Sequence, residues 1–253
     1  LTSEVHIMSQ LHHPSILKFI GYNPIDFDKK TKPVIVTEYA PNKTLEYIIH
    51  LSRHNDSLPF WNNTMKLICI YGIASGMLYL HSQNISHHDL KPGNILMDDY
   101  LFPKIADFGL AEIKNDSQND KNSKTTPSTK GTPKYIAPEI WEKKIYSQKS
   151  DVYAFSIIVY EIITKKIPFR NMTTFQIMYH VAYEKRRLQF DKNIDNDYKK
   201  LIEACWKENP EERPTFLQIL EILKKPEFTK KINMEEFKKY AQNLSFEHRY
   251  ENQ

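Results

Sequence analysis

Glycine is scarce, with only six residues in a chain of 253, at positions 21, 72, 76, 93, 109 and 131. No two of them have the GxG spacing that lets backbone amides approach a phosphate closely, so no glycine-rich nucleotide loop exists in this stretch of chain. Gly72 and Gly76 form GxxxG within a helical pattern, where the motif reads as a close-packing device. Cysteine is scarcer still. Cys69 and Cys205 lie far apart and no CxxC pair occurs, which excludes a disulfide framework and points to a reducing, cytoplasmic setting. Long apolar runs are missing too. The longest, Phe155 to Ile163, is broken by Glu161 and is far shorter than the ~20 residues of a membrane span. No sign of charge dominates: 35 Lys+Arg against 31 Asp+Glu give a net charge of +4, and nothing points to nucleic acid or membrane as a partner. The densest basic stretch, Lys185-Arg186-Arg187, has Glu184 beside it and reads as solvated surface. The triplets at Asn42, Asn62 and Asn171 match a glycosylation pattern that chance produces readily in an Asn-rich chain. No signal peptide precedes Leu1, which falls inside a helical pattern, so the chain is expected to start within a domain.

What is present is ordinary globular composition, 40% hydrophobic and 26% charged, in a length that can bury a substantial core. Leu1, Val5, Met8 and Leu11 recur at helical intervals. Two strand-like runs follow, Ile16–Gly21 and Val34–Glu38, on either side of a polar turn with Pro24 and Pro33. Helical patterns then dominate, over roughly 44–52, 62–82, 151–164, 173–183, 197–207 and 215–223. Between 83 and 140 the chain is rich in loops, and long ordered loops are usually functional. After Lys224 a charged helical stretch near 234–242 is expected, with no further core pattern. No internal repeat is visible.

The chemistry sits in that loop-rich region. Ile85-Ser-His-His-Asp-Leu-Lys-Pro-Gly-Asn-Ile-Leu96 puts a carboxylate (Asp89), an ammonium (Lys91) and an amide (Asn94) on one short loop after a long helix. Asp107-Phe108-Gly109 follows shortly afterwards. A carboxylate can take a proton, an amide and a second carboxylate can hold Mg²⁺, and a lysine can neutralise a moving phosphoryl group. The pattern resembles the catalytic and metal-binding loops of eukaryotic protein kinases, H-R-D-L-K-x-x-N and then D-F-G. Further matches come in order. They are Gly131-Thr-Pro-Lys-Tyr135 (a substrate-docking loop), Ala137-Pro138-Glu139, and Ser150-Asp151-Val-Tyr-Ala-Phe-Ser156 (a buried central helix). Cys205-Trp206 with Arg213-Pro-Thr-Phe216 completes the set. The combination is most like the tyrosine-kinase-like group of serine/threonine kinases, and it covers about residues 1–223.

The resemblance implies an α+β, protein-kinase-like two-lobe fold. Residues 1–40 would be a truncated small lobe (its regulatory helix and last two strands) with the hinge. Residues 41–224 would be a complete, mainly helical large lobe, and 225–253 a C-terminal extension. It implies ATP γ-phosphoryl transfer to protein Ser/Thr hydroxyls in signal transduction, with ATP and Mg²⁺ as co-substrate and metal. Protein substrates are the implied partners, and the oligomeric state stays open. Asp89 would be the base, Lys91 would contact the γ-phosphate, and Thr132 would hold the acceptor. Asn94 and Asp107 would bind Mg²⁺. Thr37 would be the gatekeeper, Glu38 and Ala40 would read adenine, Leu96 would pack beneath it, and Glu4 would be the carboxylate that pairs with a small-lobe lysine. Met8, Phe19, His87 and Phe108 would form the apolar stack between the lobes, with Asp151 anchoring the His87 loop. Glu139 and Arg213 would form a buried ion pair.

Three departures from the pattern stand out. No glycine-rich loop or lysine partner for Glu4 precedes Leu1, so this stretch alone is expected to be weak or inactive. His88 stands where the family has an arginine that binds an activation-segment phosphate, and a mostly neutral imidazole offers no bidentate fork. Lys43 replaces a glycine after the hinge. The segment Lys114–Lys130 carries Ser117, Ser123, Thr125, Thr126, Ser128 and Thr129 as phosphorylation candidates. The rival from another class is a pseudokinase scaffold. A metal module built on His12/His13 or His87/His88 lacks ligand spacing.

Overall fold

A computed structural model describes residues 2–54, 58–113 and 129–247. The chain opens with helix α1 (Thr2–Gln10), which turns Ile7 and Met8 into the core, and strands β1 (Phe19–Asn23) and β2 (Val34–Thr37), paired antiparallel with a bulge between Phe19 and Gly21. The strand expected from Ile16 starts at Phe19 instead. Residues 15–17 are taken up elsewhere, where Ile105 N–H donates to Ser15 O at 2.8 Å and Leu17 N–H to Ile105 O at 2.9 Å. That parallel bridge ties the N-terminal portion to the rest of the chain.

Helices α2 (Leu45–His54) and α3 (Asn63–Ser82) follow. Asn62 caps α3 by accepting from Met65 N–H at 3.1 Å. The helix is apolar on nearly every face, as befits one packed on all sides. Short strands carry the loop-rich region: β3 (Ile85–Ser86) pairs with β6 (Glu112–Ile113), and β4 (Ile95–Met97) with β5 (Pro103–Ile105), all antiparallel. Helix α4 (Pro138–Lys143) leads to α5 (Gln148–Thr164), whose capping box of Ser147 and Ser150 starts it one turn earlier than its apolar pattern suggests. Every residue of α5 from Ser150 to Ile162 is buried.

Helix α6 (Thr174–Met178) runs into a π-helical turn at Tyr179–Tyr183, where a plain helix was expected. Helices α7 (Asn196–Cys205) and α8 (Phe216–Leu223) pack on α5 and α3 respectively. The expectation of no core beyond Lys224 fails. Helix α9 (Pro226–Thr229) buries Phe228, and α10 (Met234–Glu247) lies along α3 with Phe237, Tyr240 and Leu244 buried. The chain is therefore α+β, with few strands in its first part and a helical body built around α3 and α5.

Candidate active site

The loop between β3 and β4 hangs on one buried carboxylate. Asp151, near the start of α5, accepts from His87 N–H at 2.9 Å and from His88 N–H at 3.0 Å, and its Oδ2 lies 3.0 Å from His81 Nε2. Burial alone would push its pKa up, but the hydrogen bond and charge of His81, with the neighbouring His88 and His87, outweigh burial and hold it below the ordinary value. The Asp151 anchor was legible in the sequence; its third partner, His81, was not.

His87 is fully buried. Its Nε2 lies 3.1 Å from Ala106 O and its Nδ1 accepts from Asp89 N–H at 3.3 Å, which sets the tautomer. Burial lowers its pKa, against the opposing pull of Asp151, so the ring is neutral. It packs against the buried Phe108 ring at 5.3 Å; of the other two members of the expected stack, Met8 is buried in the same core as Phe108 and Phe19 is half-buried against that core. His88 has φ of 65° and its ring rests 5.1 Å from that of Tyr146, whose hydroxyl accepts from Lys130 N–H at 2.7 Å.

Asp89, Lys91, Asn94 and Thr132 come together. Lys91 Nζ donates to Asp89 Oδ2 at 2.7 Å and to Thr132 Oγ1 at 2.9 Å. Asp89 Oδ1 accepts from both the backbone N–H and the hydroxyl of Thr132, each at 2.9 Å. Asn94 Nδ2 donates to Asp89 O at 2.9 Å and Oδ2 at 3.2 Å. Both carboxylate oxygens are thus held in place. Gly131 permits the approach: its φ is +103°, and a Cβ there would lie 3.1 Å from His88 O.

Asp107 is exposed, has φ of 63° and accepts from Gly109 N–H at 3.4 Å. The β4–β5 register places it. Ile95 faces Ile105, and Ala106 N–H donates to Asn94 O at 2.8 Å, so Asp107 lies one residue past Asn94's backbone partner. Among the described residues no three His, Cys, Asp or Glu side chains form a metal cluster. A pair made of one amide and one carboxylate nevertheless suits Mg²⁺, which keeps waters and substrate phosphates as its other ligands. With Nδ2 engaged, Asn94 has Oδ1 for such an ion.

Just past β2, Glu38 N–H donates to Lys18 O at 3.0 Å, Lys18 N–H to Glu38 Oε1 at 2.9 Å, and Lys104 Nζ pairs with the same carboxylate at 3.3 Å. Thr37 Oγ1 donates to Glu38 O at 3.1 Å. The N–H and C=O of half-buried Ala40 have no hydrogen-bond partner among the described residues. Leu96 is half-buried between the buried Ile95 and Met97. Glu4 is half-buried on α1 and makes no ion pair among the described residues. It stands apart from the Asp89 cluster.

The expected Glu139–Arg213 pair is present and bidentate, both bonds 2.8 Å. A third buried carboxylate was not announced by the sequence. Glu161 accepts from Tyr135 hydroxyl at 2.6 Å and from Arg53 at 2.9 Å, and burial raises its pKa against both partners. Arg53 and Glu161 are 108 positions apart, and no local pattern announces them. Of the phosphorylation candidates, Ser117, Ser123, Thr125, Thr126 and Ser128 lie outside the described residues, while Thr129 Oγ1 accepts from Lys144 Nζ.

The family model described as protein tyrosine and serine/threonine kinase matches residues 1–223. The probable serine/threonine-protein kinase drkC of Dictyostelium discoideum is 37% identical over 227 residues, which is 88% of this chain and 28% of that protein. The serine/threonine-protein kinase CTR1 of Arabidopsis thaliana is 35% identical over 226 residues (87% and 26%). The serine/threonine/tyrosine-protein kinase HT1 of the same plant is 34% identical over 225 (88% and 54%). The chain thus spans from about a quarter to about half the length of these relatives.

Proposed function

Because the chain belongs to the protein tyrosine and serine/threonine kinase family, whose members use ATP and Mg²⁺, we propose that it carries the catalytic centre of a serine/threonine kinase. The observation that carries the reading is the convergence of Lys91, Asn94 and Thr132 on the Asp89 carboxylate, with Asp107 set next to Asn94 by a strand register. A binding scaffold has no physical need for that arrangement.

Mg²⁺, held by Asn94 and Asp107, would neutralise charge on the nucleotide phosphates. Ala40, with the Glu38 carbonyl, reads adenine, and Leu96 lies under the ring. Thr37 lines the back of that pocket. Glu4 is the small-lobe carboxylate that would pair with a phosphate-holding lysine, which this stretch of chain does not contain. Asp89 orients the acceptor hydroxyl and takes its proton as the oxygen bonds to the γ-phosphorus. The bond from that phosphorus to the β–γ bridging oxygen breaks and ADP leaves, while Lys91 balances charge on the transferring group. Protein Ser/Thr hydroxyls are the acceptors, and the cytoplasm is the proposed setting. No helix among the described residues is long and apolar enough to cross a membrane.

The test separates two carboxylates in the protein that carries this domain. Asp89→Asn should lower kcat by roughly 10²–10⁴-fold, about 3–5 kcal/mol of barrier, with Mg·ATP affinity nearly intact. Asp107→Asn should weaken Mg²⁺-dependent nucleotide binding in a calorimetric titration. Wild-type turnover in Asp89→Asn would remove Asp89 from the mechanism and return the scaffold reading.

A further inference from the structure

Three aromatic rings stand in file on the surface of the helix that borders the active site. Phe175, Tyr179 and Tyr183 are 67%, 50% and 63% exposed. They are stacked, with centroids 6.4 and 5.9 Å apart and ring planes within 17° and 21° of parallel. Residues four apart share one face of a helix, so the three rings follow one another along it. Past Met178 the backbone widens into the π turn, where Glu184 N–H reaches Tyr179 O at 2.9 Å, and the file continues through it to Tyr183. Such insertions concentrate at functional sites. Large exposed apolar ridges are uncommon outside contact surfaces, and aromatic rings already fixed by mutual stacking lose little freedom on contact.

The helix that carries the ridge also borders the active site. Met172, Thr174 and Ile177, from that helix and the residues leading into it, line a groove of about 390 Å³ together with Lys91, Thr132 and Tyr135, with Lys134 and Glu46 also on its walls. The segment that carries the ridge is basic. Residues 165–190 hold six Lys or Arg and a single carboxylate, Glu184. Arg187 is committed to Trp206 O and Glu208, and Arg186 shares Glu184 with His180, whereas Arg170 and Lys185 are exposed with no ion pair among the described residues. The basic stretch that reads as plain solvated surface thus divides into one structural arginine and two cations at the end of the ridge.

We propose that the ridge of Phe175, Tyr179 and Tyr183, with Lys185, Arg186 and Arg170 at its ends, docks an acidic segment of the protein substrate that carries large apolar side chains. The proposal rests on the kinase reading for the word substrate. Charge complementarity selects the acidic partner, and the helix shared with the Lys91–Thr132 groove selects the substrate itself. A lipid surface fits less well, because the rings lie in line beside a concave groove instead of projecting from a convex tip.

The experiment pans a random 12-residue displayed peptide library on the wild-type chain and on the Phe175→Ser/Tyr179→Ser/Tyr183→Ser variant, both checked by thermal melting. The wild type alone should enrich peptides rich in Asp and Glu that also hold Trp, Phe or Leu. A synthetic copy should bind at least tenfold more weakly to the triple variant and to Lys185→Glu/Arg186→Glu, and more weakly as salt rises. Joined to a serine acceptor, it should lower KM about tenfold in the wild-type form of the full protein that carries this domain and not in the ridge variant of it, with kcat unchanged. Indistinguishable pools, basic or apolar-free winners, or an unmoved KM would overturn the proposal. So would ridge-dependent binding to phosphatidylserine vesicles in place of peptide. Asp89→Asn should keep full peptide affinity, so a failure of catalysis and a failure of docking are read separately.

Discussion

Arg213 is the largest fully buried side chain among the described residues, and each of its nitrogens has a partner. Besides the two bonds to Glu139, Nε donates to Lys207 O at 2.9 Å and Nη1 to Lys149 O at 2.9 Å, while Ser150 Oγ donates to Glu139 Oε1 at 3.0 Å. A buried pair this well satisfied is costly to break from one side, since the survivor is left desolvated. Arg213→Ala should cost about 3–5 kcal/mol, and Glu139→Ala/Arg213→Ala clearly less than the sum of the single changes. A denaturant double-mutant cycle with coupling near zero would refute this. His87 supplies a pH dependence. Its folded-state pKa is lowered, so below the unfolded value near 6.5 the unfolded chain binds a proton that the native one resists. Stability should be full above that pH and decline as pH falls below it, by at most about 1.4 kcal/mol per pH unit from this group. Urea melts from pH 7.5 to 5.5 should show a steeper loss for the wild type than for His87→Gln; equal slopes would contradict the assignment. Both residues were legible because short motifs name them. The Tyr135–Glu161–Arg53 contact was not, because its members belong to separate elements with ordinary local sequence.

Elements were legible where apolar period and caps agreed, as in α3, α5 and α8, the last opened by a Thr215–Gln218 capping box. They were misjudged where tertiary contact overrode pattern: Ile16 gives its strand-like backbone to Ile105 and not to β2. Helix α10 is different, since its signal existed. Phe237, Tyr240 and Leu244 recur at i, i+3 and i+7, but Glu235, Glu236, Lys238 and Lys239 between them suggest a charged surface helix. Tyr240 hydroxyl lies 3.4 Å from Ser15 Oγ and hard against Gly72 of α3. A methyl at Gly72 would meet that hydroxyl and, at 2.7 Å, Pro103 Cγ. Helix propensity alone would make Gly72→Ala stabilising by roughly 0.5–1 kcal/mol. Overpacking should instead make it destabilising by about 1–3 kcal/mol, with part recovered in Gly72→Ala/Tyr240→Phe. A stabilised Gly72→Ala protein in thermal melts would show that α10 is not seated there.

At the scale of the molecule, long-range ties hold the parts in one body. Residues 15–17 bind the N-terminal strands to the β4–β5 hairpin, and Arg53, Glu161 and Tyr135 join α2, α5 and the loop at 131–135. The overall architecture was readable because its motifs occur in a fixed order, while the surface ridge was not, because aromatic residues recurring every fourth position read equally well as the buried face of a helix. The seat of α10 has a consequence for synthesis on the ribosome. The stripe of α3 around Tyr71 and Gly72 is translated early, yet the rings that cover it, Phe237 and Tyr240, arrive about 165 residues later. At roughly 5–20 residues per second, that stripe waits on the order of ten to thirty seconds for its cover. The nascent chain therefore presents a standing site for chaperone attention until α10 emerges.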